Sequence, residues 1–339
     1  MQSRTFSLIA ATAAALCLAA MPAGGQTLEQ LAAAAAKKPP VIWYESSTPE
    51  QILKVTNAFN KHYPDIKVQF VRVTGGGGIA AKVIQESEAG AATASFILGD
   101  AEQSIPLNKR GLLVTRDWKA LGIDPALVKT PFAVATTGSL AVLLWNKNRV
   151  KEDELPKTWD DFLADKWKGR VGEWVRAPML APLAKSWGEQ RLREYVTKLV
   201  EMKPMVYPST FQLAQQVAAG EVDIGMGLYH TVQPLLKSGA PIGYRFLDPT
   251  PLAMLYGAVV SKGANPEGAQ VLLAWLATPE GAKAYEDATG RGNPLIKETE
   301  TAQRVGSHKL VEFTFDESPT LERLDAELTK MLMSAGKAR

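Results

Sequence analysis

Val41-Ile-Trp-Tyr-Glu-Ser-Ser-Thr-Pro-Glu50 is followed by an amphipathic run to His62, with Ile52, Val55, Phe59 and Tyr63 on one stripe. Four apolar residues, a polar turn and a 3.6-residue period read as a buried strand, a loop and a helix. Thr48 is a good N-cap, with Pro49 at the first helical position and Gln51 three residues after the cap. The pattern then repeats. Ile66 to Val73 alternates like a strand, Ile79 to Ala89 is helical, and Ser95 to Leu98 is a short strand. A β-α-β-α-β rhythm predicts a mainly parallel sheet flanked by helices, hence an α/β fold.

Downstream, Leu140 to Trp145 reads as a strand that leaves a joint at Thr136-Thr-Gly-Ser139. A second rhythm then runs through a helical Trp159 to Ala164, a strand Arg170-Val-Gly172, and helices over Leu180 to Trp187 and Glu189 to Met202. Ser209 to Ala219 is a helix opened by the capping box Ser209-x-x-Gln212. Val222 to Leu228 and Tyr244 to Leu247 are strands. Ala253 to Val260 is the strand that returns to the first half. Helices follow over Pro266 to Leu276, Pro279 to Ala288 and Ser318 to Leu332. Two α/β lobes are expected: 26–136 with 251–305 as lobe 1, and 137–250 as lobe 2. Residues 306–339 form a C-terminal helical segment packing on both. The hinge is placed at 136–139 and 249–251.

The first residues carry a separate message. One positive charge at Arg4 precedes the apolar run Phe6 to Ala20, and Met21 to Gly25 is small and turn-prone. This reads as a secretory signal peptide, residues 1–25, cleaved after Gly25. The mature chain is expected in the periplasm. Cys17, the only cysteine, leaves with the signal, which excludes disulfides, a cysteine nucleophile and a thiolate metal site. Without Arg4, 37 Lys and Arg face 35 acids, so no nucleic acid or acidic lipid partner is expected. About 314 mature residues suit roughly two domains.

Ligands of open α/β sheets sit beyond the carboxyl ends of strands. The candidate ligand-binding residues are the polar groups at those ends. Ser46 and Ser47 follow the first strand, where they either only support the helix cap or bind an anion with free amides. Thr74-Gly-Gly-Gly-Gly78, with Gly76 and Gly77 at its centre, is either a flexible turn or an amide nest; its spacing fits neither a P-loop nor a dinucleotide fingerprint. Asp100 is a helix cap or a contact, and Thr137 lies at the expected joint. In the second lobe Arg176 is a surface arginine or a carboxylate or phosphate clamp. Ser209 and Thr210 open a capped helix. Tyr229 and His230 end a strand and either face the cleft or are buried. No His-Glu-x-x-His, Gly-x-Ser-x-Gly or Asp-rich calcium loop occurs, and no nucleophile, base and oxyanion donor assemble.

Several segments together resemble a known family: Thr27-Leu-Glu-Gln-Leu-Ala32, Ala58-Phe-Asn-Lys-His-Tyr-Pro-Asp65, Gln85-Glu-Ser-Glu-Ala-Gly90, Thr158-Trp-Asp-Asp-Phe162 with Trp167-Lys-Gly-Arg170, and Val217-Ala-Ala-Gly-Glu-Val-Asp-Ile224. In order and spacing they resemble the periplasmic substrate-binding proteins of ABC importers, in the branch that includes ferric-ion-binding proteins. The resemblance implies a two-lobed hinge protein, monomeric, that closes on a small solute and delivers it to an inner-membrane permease without catalysis. Ferric members place adjacent tyrosines where this chain has Tyr229 and His230, and often a histidine where it has Ser46 to Thr48. A small organic or phosphorylated anion is therefore expected as ligand, with no resident cofactor. Ferric ion held by Tyr229, His230 and Tyr207, or by Tyr256, is the alternative. An exported enzyme and a sensor subunit are the readings from other classes.

Overall fold

A computed structural model describes residues 25–74 and 78–336; the signal-peptide residues before Gly25 and the expected nest at Gly76 and Gly77 lie outside them. The first lobe begins with α1 (Leu28–Ala35), β1 (Val41–Glu45), α2 (Pro49–His62), β2 (Val68–Arg72), α3 (Gly78–Glu88), β3 (Phe96–Gly99), α4 (Ala101–Lys109) and β4 (Val128–Thr130). β1 lies between β2 and β3 and runs parallel to both. The Thr48 capping box with Gln51 forms as expected.

β5 (Ala133–Asn146) leaves this lobe as one strand of 14 residues. The expected joint at 136–139 is thus inside a continuous strand. Gly138 there is a packing requirement, since a Cβ would sit 2.7 Å from Leu252 Cδ1. The second lobe holds β6 (Val171–Trp174), α5 (Ala184–Trp187), α6 (Glu189–Glu201), β7 (Met205–Tyr207), α7 (Thr210–Ala219), β8 (Ile224–Leu228), α8 (Tyr229–Lys237) and β9 (Ile242–Arg245). β6 runs parallel to β7 and β8, while β8 and β9 pair antiparallel with the second half of β5. The expected helix at 159–164 is only a 3₁₀ turn, Asp161–Leu163. The helix expected from Leu180 starts as a 3₁₀ turn and becomes α5 at Ala184.

β10 (Thr250–Val259) returns to the first lobe. It pairs antiparallel with the first half of β5, from Leu252 opposite Leu140 to Gly257 opposite Val134, and with β3 on its other edge. α9 (Pro266–Leu276), α10 (Pro279–Thr289) and α11 (Glu300–Val305) complete that lobe. β11 (Leu310–Val311) then pairs with the start of β10, and α12 (Ser318–Gly336) crosses back to pack on α6 and β7. The strand order is β2-β1-β3-β10-β5-β8-β6-β7. β5 therefore pairs with first-lobe strands up to Leu140 and with second-lobe strands from Ala141.

Both lobes are cored by buried apolar side chains, and one cluster runs on through the crossing strands from Trp43 and Phe96 to Leu213 and Val217. In the first, Trp43 lies 5.3 Å from Phe96 and 6.4 Å from Tyr285, ring centre to ring centre. In the second, Phe162, Trp167, Leu192 and Val196 pack with Leu324, Leu328 and Leu332 of α12, all fully buried or nearly so. These three leucines recur every four residues, and each buried leucine contributes about 1.5–3 kcal/mol. That stripe fixes α12 on the second lobe and sets where its other face points. No described helix is long and apolar enough to cross a membrane.

Candidate functional site

A cavity of about 330 Å³ opens between the lobes at the carboxyl ends of their strands. The first lobe supplies Ser46 after β1, Asp100 and Glu102 after β3, and Arg291 after α10. The second supplies Trp174 and Arg176 from the end of β6, Thr210 and Phe211 from the start of α7, and His230 from α8. Ser139, Ala253 and Leu255 of the crossing strands form the floor, and Ser318, Leu321 and Asp325 of α12 close one side.

Arg291 is the residue that sequence reading missed. The chain leaves α10 through Gly290, whose φ of +77° is a left-handed cap that glycine adopts without strain. A Cβ on Gly292 would stand 2.2 Å from Glu286 Oε1 and 2.3 Å from Thr301 Oγ1, so only glycine fits there. The loop is stitched to β5. The Thr137 hydroxyl donates to the carbonyls of Arg291 (2.9 Å) and Gly292 (3.2 Å), and Gly138 N–H donates to Gly292 (3.0 Å). Asn293 Nδ2 donates to the carbonyls of Ala135 and Thr136. The guanidinium so placed donates only a long bond, Nη1 to Ser47 Oγ at 3.4 Å, and its buried Nε has no partner. Among the described residues no carboxylate lies within 4 Å of it. The signal in the sequence was an arginine between two glycines at a helix end.

Facing it from the second lobe, His230 is 4% exposed and its Nδ1 has no partner. Burial, with Arg291 adding positive charge, drives its pKa well below the usual 6.5, so the imidazole is neutral near pH 7. Ser47 is held by its own N–H, which donates to the buried Glu45 carboxylate; Tyr285 donates to the other oxygen of Glu45.

The other side of the cavity is acidic. Arg176 stacks over the Trp174 ring and donates to Asp325 at 3.2 Å; the second Asp325 oxygen accepts from Ala177 N–H at 3.1 Å. Asp100 caps α4 through Gln103 N–H, and burial raises its pKa despite that bond and Arg176. Burial also pushes Glu102 up to about 7, with Asp100, Glu322 and Asp325 adding like charge.

Of the expected site residues, Ser46, Asp100, Arg176, Thr210 and His230 line the cavity. Ser47 and Thr137 stand behind it as supports of Arg291. Ser209 caps α7 through the Phe211 N–H, so the reciprocal box with Gln212 does not form. Tyr229 does not reach the cavity. β8 ends at Leu228 and Tyr229 opens α8, which turns its ring away from the side His230 faces. It packs 5.1 Å from Tyr244 and 5.7 Å from Phe246, and burial pushes its phenol well up, holding it protonated. Tyr207 is buried in β7, where its hydroxyl meets Met205 Sδ at 3.8 Å, and Tyr256 is buried against Phe315. The tyrosines suggested for iron are thus not brought together with His230. Among the described residues no group of three or more His, Asp or Glu side chains is placed to hold a metal ion.

The chain is similar in structure to iron-bound HitA from Pseudomonas aeruginosa, at 19% identity and a TM-score of 0.70, covering 88% of this chain and 100% of that one. It is similar to AfuA from Actinobacillus pleuropneumoniae with exogenous fructose-6-phosphate bound, at 21% identity and a TM-score of 0.69, covering 87% and 98%. It is also similar to FutA (IdiA) of Trichodesmium in complex with iron and citrate, at 20% identity and a TM-score of 0.66, covering 88% and 99%. These likenesses establish the two-lobed binding-protein fold. No curated protein matches the chain in sequence. The family described as bacterial extracellular solute-binding protein matches residues 44–283, more than half of the chain. The chain belongs to the bacterial extracellular solute-binding proteins.

Proposed function

We propose that this protein captures a small solute bearing an anionic group, a phosphate, phosphonate or carboxylate, between its lobes and hands it as a monomer to an ABC permease from the periplasm. The observation that carries the reading is Arg291, a cleft guanidinium with one long hydrogen bond, an unpartnered Nε and no carboxylate within reach. A half-buried guanidinium with donors left over forms a clamp for a phosphate or carboxylate. His230 supplies a polar nitrogen from the opposite lobe. An anion that bonds both is bound better by the closed form and so shifts the lobes toward closure. The sugar phosphate bound by AfuA shows that this fold accommodates a phosphorylated solute. The tyrosines turned away from the cavity weigh against ferric ion.

Melting temperature in a solute panel tests the reading. Phosphates, phosphonates or carboxylates should raise it through binding to the folded state, and Arg291→Ala should abolish the rise. Stabilisation by neutral sugars alone, or a coloured complex with ferric citrate, would contradict it.

A further inference from the structure

We infer that the anionic group of the solute is carried on a short hydrocarbon body and not on a sugar or other polyol. This rests on the anion reading above and narrows it. Beyond Arg291 and His230 the cavity wall is mainly apolar. Phe211, in the first turn of α7, is 46% exposed, and its ring centre lies 5.8 Å from that of His230. Apolar surface therefore begins beside the anion end.

The floor extends it. Side chains alternate along a strand, and in β10 Leu252, Met254 and Tyr256 are buried while Ala253 and Leu255 stay partly open to the cavity. α12 does the same at helical spacing. Its leucine stripe of Leu324, Leu328 and Leu332 is in the core, and Leu321, three residues before the stripe, is partly open and lines the cavity. Pro178, partly open as well, continues the wall beyond β6.

A second, independent observation concerns the polar groups. A sugar needs donors and acceptors for several hydroxyls, yet the described lining holds no Asn, Gln, Lys or Tyr. Ser139, Thr210 and Ser318 are buried. Asp325 already accepts from Arg176, Ala177 N–H and the Thr329 hydroxyl, and Asp100 from Gln103 N–H. Burial shifts Asp100 and Glu102 toward the neutral acid, the form that a hydrocarbon beside them favours. A polyol laid on Phe211 and Leu255 would give up its bonds to water for few in return, whereas a hydrocarbon gains by leaving water. About 330 Å³ gives room for one such small body.

Calorimetry on the full mature chain with matched probes tests this. One set is methyl phosphate, propyl phosphate and glycerol 3-phosphate, the dihydroxy analogue of the propyl ester. The other is acetate, butyrate and threonate, the trihydroxy analogue of butyrate. In whichever set binds, the two added methylenes should tighten binding about tenfold, at about threefold to fourfold each. The hydroxylated analogue should bind at least about tenfold more weakly than its parent. Phe211→Gln, at a half-exposed position, should narrow both gaps. Should that variant be unstable, the wild-type ratios decide alone. Equal affinities, a preference for the hydroxylated analogue, or gaps that a folded Phe211→Gln leaves unchanged overturn the hydrocarbon body on this wall and leave the anion reading standing. Failure of all six probes at millimolar concentration overturns the anion reading itself.

Discussion

Arg176 and Arg291 reach the same cavity from opposite lobes and are held in opposite ways. Arg176 stands at the end of a strand, half-exposed, stacked on Trp174 and answered by Asp325 from a helix that the leucine stripe anchors. Arg291 stands in a glycine-framed loop, fastened by its backbone rather than by its side chain. An exposed, already paired arginine contributes about 0–1 kcal/mol through its ion pair, and a ligand must compete with Asp325 for it. A backbone-fixed guanidinium without a carboxylate is available to the ligand. The lesson is that a cleft arginine is judged by what already answers its charge, since both look alike as letters.

The largest expected effect separates the two. Arg291→Ala should weaken binding of the anionic solute by about 100-fold or more, whereas Arg176→Ala should cost about tenfold or less, both read by calorimetry. Equal losses would erase the distinction. The next effect tests the loop. Gly292→Ala drives a methyl group into Glu286 and Thr301 and should destabilise the fold by about 1–3 kcal/mol in urea titration. A wild-type midpoint would show that the loop yields and does not hold Arg291 rigidly.

A smaller effect belongs to the Arg176 side. Burial pushes the Glu173 carboxyl up to about 8. The folded state then binds a proton that the unfolded chain releases at its ordinary value near 4.5, so this group lowers stability as pH rises from about 4.5 to 8. Glu173→Gln should raise stability at pH 8 by about 1 kcal/mol or more and change it little at pH 4.5. A gain that is the same at both pH values would place the carboxylate in contact with an unseen donor. The smallest effect is at Tyr229, whose ring is packed away from the cavity. Tyr229→Phe should leave solute affinity within about twofold, less than one lost hydrogen bond. A tenfold loss would restore the tyrosine to the site.

Much of this was legible from the sequence because it is local. Strand–helix alternation, the Thr48 cap and the helix stripes depend on neighbours a few residues apart. The joint expected at 136–139 shows the limit: Thr-Thr-Gly-Ser reads locally as a break, yet β5 runs unbroken through it and changes partners just beyond, at Leu140 and Ala141, while Gly138 leaves room for Leu252 of the partner strand. Tyr229 and His230 were equivalent until α8 was seen to begin between Leu228 and Tyr229, which sends adjacent side chains about 100° apart. Arg291 was hidden for a longer-range reason. Its contacts run to Ser47 and Thr137, distant in the chain, and its glycine neighbours signal only a helix end.

The central claim is that Arg291 holds the anion of a captured solute. Mass spectrometry of small molecules released on denaturing the protein, purified without refolding from cells that make it, tests this whatever the solute is. The account predicts one anion-bearing compound at near one-to-one ratio on the wild type and its absence from Arg291→Ala. The same compound on both proteins, or a bound compound with no anionic group, would contradict it.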